Sequence, residues 1–375
     1  MTATRVTGRL VLEDRIAAGE LEIDDGLIVA IREDEGASSG RLIAPGFIDV
    51  HVHGWGGHSA MGDTGALDGM ARALLRQGVT SFLPTAWTEP IRTLVEFADR
   101  VRSWLPRAAS DGASPLGFNL EGPFLSEAKK GAHDPTHLRN PADVDPTEIE
   151  PLLDGLRLIT IAPEIPGALD LIRRVTAHGA RVSLGHSAAT LAEAQAGYAA
   201  GATTTTHLFN AMSGVDHHHP GLAVAALGSD DAYVELIADG NHVDPSLLPI
   251  ISRTKPSDRL MLVSDALSLA GTDVRRARVG SLEVEIVGGR VTLAGTSTLA
   301  GCVIALDSAV RNVVRSGIPL PAAVAAASAN PAAMLGHDDR GRIDVGLRAD
   351  LVELDDGLRV RRVMRGGEWF RGAGA

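Results

Sequence analysis

Residues 47–53 read FIDVHVH, an apolar, β-branched run that closes on two histidines two positions apart. Side chains alternate faces along a strand, so His51 and His53 are expected on the same side of this one. Seven further runs of strand character follow, at 81–86, 116–121, 158–163, 181–186, 203–209, 234–240 and 260–265. Amphipathic stretches of helical length lie between most of them, at 66–76, 91–104, 169–177, 191–200 and 245–253. Eight strands alternating with helices predict an α/β fold, a (β/α)8 TIM-like barrel over residues 45–340.

The flanks have a different texture. Residues 5–43 run as short alternating segments broken by turn signals, DDG at 24–26 and EGASSG at 35–40, and residues 341–370, GRIDVGLRADLVELDDGLRVRRVMRGGEWF, do the same. Two distant antiparallel β segments around one barrel predict a small β-sandwich domain built from 1–44 and 341–375. Ala- and Val-rich helices are expected at 302–315 and 320–334 between barrel and tail.

Composition narrows the function. Of 375 residues, 35 are Lys or Arg and 47 are Asp or Glu, a formal charge of −12 that disfavours a nucleic-acid or anionic-membrane surface. With 45% hydrophobic residues and no run near ~20 consecutive apolar residues, a large core is affordable and a membrane span is not. The opening MTATRVTGRLVLEDR lacks the apolar core of a secretory signal, so the cytoplasm is the expected compartment. The single cysteine, Cys302, excludes a thiolate zinc cluster and reads as an inert buried thiol, so any metal must rest on imidazole and carboxylate. Thirteen histidines can supply the imidazoles.

Several predicted strands end on a group able to bind metal or move a proton. Strand three ends NLEGP with Glu121, strand five ends LGHS with His186, strand six begins TTTTH with His207, strand seven ends ADGNH with His242, and strand eight ends VSDA with Asp265. In a barrel of this kind these ends share one rim, where catalytic residues gather. Imidazole and carboxylate suit a borderline Lewis acid such as Zn²⁺, which lowers the pKa of bound water from about 15.7 to about 7. Asp265 reads as the base that takes a proton from the attacking water and hands it to a leaving amine. Each residue alone could be a satisfied polar core group; together they point to one or two adjacent ions.

The motifs PGFIDVHVHG (45–54), EGPFLSEAKKGAHDP (121–135), GHS (185–187), THLFNAM (206–212), ADGNHV (238–243), LVSDA (262–266) and LAGTSTLAG (293–301) resemble the N-acetylglucosamine-6-phosphate deacetylases of the amidohydrolase superfamily. The resemblance implies a cytoplasmic homodimer that deacetylates a small amino-sugar phosphate, with one or two divalent ions per subunit, zinc first and Fe, Co, Mn or Cd as alternatives. It implies Glu121, His186 and His207 for the principal ion and His51 with His53 for a neighbouring position. Asp265 would be general base and then acid, and His133 would polarise the acetyl carbonyl, although its spacing alone suggests a surface loop histidine. Asn210, the Ala211 backbone, His242 and Leu299 would meet the substrate.

One departure bears on the substrate. Members of that family read HHREPG where this chain has VDHHHPG (215–221), so His218 replaces an arginine that reaches the phosphate, often across a dimer interface. Histidine lacks the permanent charge and bidentate fork of arginine. An unphosphorylated, sulfated or isomeric N-acetylhexosamine, or an N-acyl amino acid, is therefore an alternative substrate, and a non-catalytic relative is the remaining reading. The lysine pair Lys129 and Lys130 reads as a solvated loop tip or as part of a closing loop. Trp55, Trp87 and Trp104 read as packing.

Overall fold

Eight parallel strands carry the site. They are β1 (Phe47–Val52), β2 (Val79–Ala86), β3 (Phe118–Glu121), β4 (Leu156–Ile161), β5 (Arg181–Leu184), β6 (Thr204–Thr205), β7 (Tyr233–Leu236) and β8 (Leu260–Leu262), hydrogen-bonded to one another in that order. Just past β8 the ring is drawn together by Asp265 N donating to His51 O at 2.9 Å and His53 N donating to Ala266 O at 2.9 Å. The computed structural model describes residues 4–34 and 40–373, so most of the expected EGASSG turn lies outside the described residues. No helix among them is long and apolar enough to cross a membrane.

Six of the eight strands end earlier than their apolar runs predict, while β2 and β3 end at Ala86 and Glu121 as expected. The sixth ladder keeps two residues of the expected seven, because the chain leaves it to turn its side chains toward the barrel mouth. His186, His207 and Asp265 lie beyond the last paired residue of β5, β6 and β8 with φ of +45°, +26° and +48°. Such left-handed backbone at non-glycine residues is energetically unfavourable and concentrates at functional sites.

Helices follow the sequence closely where amphipathicity is strong. The stretch Ile91–Trp104 begins and ends as its pattern predicts, and Thr64–Arg76 starts on an Asp63 cap that accepts from Ala66 N. The latter buries Leu67, Met70, Ala71, Leu74 and Leu75, the i, i+3, i+4, i+7, i+8 stripe that seats a helix on a sheet. The expected helix at 320–334 is instead two, Leu320–Ala327 and Ala329–Leu335, breaking at Ser328. Pro331 explains the break: its ring excludes the carbonyl of Ala327 four residues earlier.

Both flanks meet in one seven-stranded sheet. Within it, Leu42–Pro45 pairs in parallel with Thr4–Val11 and antiparallel with Leu351–Leu354, so the expected antiparallel order has one parallel exception. This strand passes directly through Gly46 into β1. A Cβ at Gly46 would lie 2.3 Å from Thr80 Oγ1, so only glycine fits at this junction. A third, unanticipated sheet, Arg276–Val279, Leu282–Val287 and Arg290–Leu293, forms an antiparallel meander beside the barrel mouth.

A candidate metal centre at the barrel rim

The histidines of β1 do share a face. The Nε2 atoms of His51 and His53 lie 3.5 and 3.2 Å from the two carboxylate oxygens of Glu121, at the end of β3. His186 Nε2 is 3.0 Å and His207 Nε2 2.9 Å from Glu121 Oε1, and these two nitrogens are 3.1 Å apart. Asp265 Oδ1 stands 3.2 Å from His53 Nε2. All six side chains are buried.

Hydrogen bonds behind three of the rings decide which nitrogen faces this centre. Nδ1 of His51 meets Glu235 Oε2 at 3.0 Å, Nδ1 of His53 meets Thr85 O at 3.1 Å, and Nδ1 of His186 meets Lys129 O at 2.9 Å. Carbonyls and carboxylates only accept, so each Nδ1 keeps a proton, and the nitrogen on which a ring can give up its proton to offer a lone pair is the inward Nε2. His51 Nε2 has no hydrogen-bond partner despite its burial. Nitrogen lone pairs converging on an acceptor-only carboxylate suit a cation, and this nitrogen and oxygen donor set fits a divalent metal.

His133 is wired the opposite way. Its Nδ1 accepts from Thr88 N at 3.4 Å, so in the neutral ring Nε2 bears the hydrogen, and it points to Glu121 Oε2 at 3.4 Å. That tautomer makes His133 a donor into the site, although it is close enough to be counted with Glu121 and His186 as a ligand group. The residue is buried, not a surface loop histidine.

Electrostatics separates the groups further. Burial acts against ionisation of Glu121, but the charges of His51 and His133 hold it well below the ordinary carboxylate range. Burial opposes ionisation of Asp265 too, and the hydrogen bond from His53 with the charge of His51 keeps it lowered. At His53 burial favours the neutral ring, yet Asp265 and Glu121 outweigh it and push the imidazole up to about 9. Burial and the charge of His133 bring His186 down to about 4.

The centre opens into a cavity of about 380 Å³. Asn210, Ala211, His242 and Leu299 all line it. His242 Nδ1 sits 2.9 Å from Asp239 Oδ2, which also takes the thiol of Cys302 at 3.4 Å. These three could share an ion by distance, but they already satisfy one another, and burial pushes the Cys302 thiol well above its ordinary value. His218 is exposed and does not line the cavity of its own chain. Trp87 departs from expectation: Trp55 and Trp104 are core residues, whereas Trp87 lines the cavity, its Nε1 donating to Glu89 at 3.0 Å.

Two features escaped the sequence reading. Glu235, fully buried in β7, holds His51 and accepts from His207 N at 3.3 Å; a lone acid inside the apolar run YVELIA was its signal. The meander roofs the cavity with Val279, Leu282, Val284 and Leu293, and its turn signals were GS at 280–281 and GG at 288–289. It is clasped to the His133 loop by Ser281, whose hydroxyl donates to Asp134 at 2.5 Å. That bond and the Thr136 hydroxyl hold the Asp134 carboxyl at about 2. A Glu235→Gln variant is expected to weaken metal affinity by about 10–100-fold with the fold retained, measured by competition with a chelator.

Residues 42–370 match the amidohydrolase family. The chain belongs to this family. Among its amidohydrolase relatives, N-acetylglucosamine-6-phosphate deacetylase of Bos taurus is 40% identical over 90% of this chain and 85% of its own length. N-acetylgalactosamine-6-phosphate deacetylase of Escherichia coli O157:H7 is 38% identical over 94% and 93%. A mutant N-acetyl-D-glucosamine-6-phosphate deacetylase from Mycobacterium smegmatis, solved in complex with N-acetyl-D-glucosamine-6-phosphate, superposes with a TM-score of 0.91 at 34% identity, covering 98% of this chain and 99% of that one.

Proposed function

We propose that this amidohydrolase removes the acetyl group of an N-acetylhexosamine 6-phosphate, N-acetylglucosamine 6-phosphate in the first place, releasing acetate and the amino-sugar phosphate. The observation that carries this reading is the convergence of four imidazoles, Glu121 and Asp265 on one buried point at the floor of a sugar-sized cavity, in a chain 38–40% identical to deacetylases of such sugars.

Glu121, His186 and His207 would hold the principal ion, with His51 and His53 forming the adjoining position, and zinc best suits these donors. When bound, a divalent ion supplies Lewis acidity, polarising the acetyl carbonyl and making water more acidic. Asp265, kept ionised, accepts a proton from the attacking water as its oxygen bonds the carbonyl carbon. The same carboxyl then passes that proton to the sugar nitrogen as the C–N bond breaks. His133 donates its Nε2 hydrogen to the oxygen on which negative charge develops. Asn210, Ala211, His242 and Leu299 shape the sugar and phosphate pocket, while His218 would contribute only across a subunit interface. We place the enzyme in the cytoplasm as a homodimer, following its composition and the resemblance.

The 38% identity to an N-acetylgalactosamine-6-phosphate deacetylase favours a second reading, in which the 4-epimer is the substrate. Acetate release from both 6-phosphates and from free N-acetylglucosamine, before and after chelation and zinc reloading, tests both. A phosphorylated sugar turned over only by the reloaded protein is the expected result. Undiminished activity after complete metal removal, or no acetate from any of the three, would overturn the proposal.

A further inference from the structure

The proposed substrate carries a phosphate dianion, and the inference that follows rests on that reading. The cavity is poor in countercharge: Glu89, Glu121, Asp134 and Asp265 line it, and among its lining residues Lys129 is the sole lysine or arginine. We infer that Lys129 is the phosphate-recognising cation of this enzyme.

The three lysines of the chain are not equivalent. Lys255 Nζ is committed to the carbonyls of Ala226, at 2.9 Å, and Ser229. Lys130 Nζ turns to the carbonyls of Gly131 and His133, at 3.5 Å each. Among the described residues the Lys129 ammonium has neither a hydrogen-bond nor an ion-pair partner, although it is half-buried beside an acidic cavity in a chain of net charge −12. An ammonium left uncommitted at such a wall is available to an anionic ligand.

Its backbone is already ordered. Lys129 N donates to Ser126 O at 3.0 Å, and Lys129 O takes the Nδ1 hydrogen of His186 at 2.9 Å. Two residues on, Gly131 has φ +57°, and a Cβ there would lie 3.1 Å from His186 Cε1 and 3.6 Å from Ala211 Cβ, so the loop is seated against the segment expected to meet the phosphate. Binding the anion therefore need order only the side chain, and the ammonium replaces the charge that exposed His218 does not bring into its own cavity. The contact to His186 uses the main-chain carbonyl, which any residue at 129 retains.

The test compares wild type, Lys129→Met and Lys129→Arg on N-acetylglucosamine 6-phosphate and on free N-acetylglucosamine, with metal content measured for each and inorganic phosphate as the competing anion. Loss of a charged hydrogen bond is expected to raise KM for the phosphorylated sugar by about 10–100-fold with kcat changing far less. The ratio of kcat/KM between phosphorylated and free sugar should fall by the same factor, phosphate inhibition should weaken in parallel, and Lys129→Arg should recover most of both. A Lys129→Met variant that keeps the wild-type preference for the phosphorylated sugar, or loses activity on both sugars equally, would overturn the assignment. A wild-type enzyme without any preference for the phosphorylated sugar would instead overturn the substrate reading, and the assignment with it.

Discussion

Replacing Asp265 by asparagine is expected to lower kcat about 10²–10⁴-fold, the range of a lost general acid–base group, with metal content and KM little changed. Asparagine keeps the shape of the side chain and a carbonyl oxygen for His53, but it cannot take up a proton. Asp265 is suited to the task because two imidazoles stabilise its charge, His53 at 3.2 Å and His51 at 3.7 Å, although the residue is buried. Steady-state kinetics with elemental analysis of the same preparation checks this. A raised KM with kcat intact would make Asp265 a binding residue only.

Glu121→Gln is expected to abolish metal retention and to reduce activity by roughly 10³-fold or more. Glu121 is the anion around which five imidazoles are gathered, with nitrogen to oxygen distances of 2.9 to 3.5 Å for His51, His53, His133, His186 and His207. Glutamine has the same volume and no charge, so it cannot offset a divalent ion in a buried site. Added metal should raise the melting temperature of wild type and leave that of the variant unmoved, because only an ion that binds the native state stabilises it. Full metal occupancy in the variant would remove Glu121 from the ligand set.

Side-chain chemistry is legible along this sequence, whereas backbone direction is not. Alternation in FIDVHVH placed His51 and His53 on one face, and the strand ends supplied Glu121, His186, His207 and Asp265. The left-handed turns that aim His186, His207 and Asp265 leave no mark in residue type, since nothing in LGHS, TTHL or VSDA demands positive φ. The tautomer of His133 depends on Thr88, 45 residues away, and the orientation of His51 on Glu235, 184 residues away. Contacts so distant along the chain are invisible to local pattern. The split at Ser328 was legible, because Pro331 stood inside the expected helix.

The pairing of Leu42–Pro45 with Leu351–Leu354 has a consequence for biosynthesis. Some 300 residues separate the two, and at ~5–20 residues per second roughly 15–60 s pass before the second can emerge from the ribosome. Until then the segment that anchors the first histidine-bearing strand lacks a neighbour along one edge, so a nascent chain can build its inner wheel early yet cannot lock its hub. Expression hosts and fusion partners that slow release of the region around 351–371 should therefore favour aggregation over metal loading.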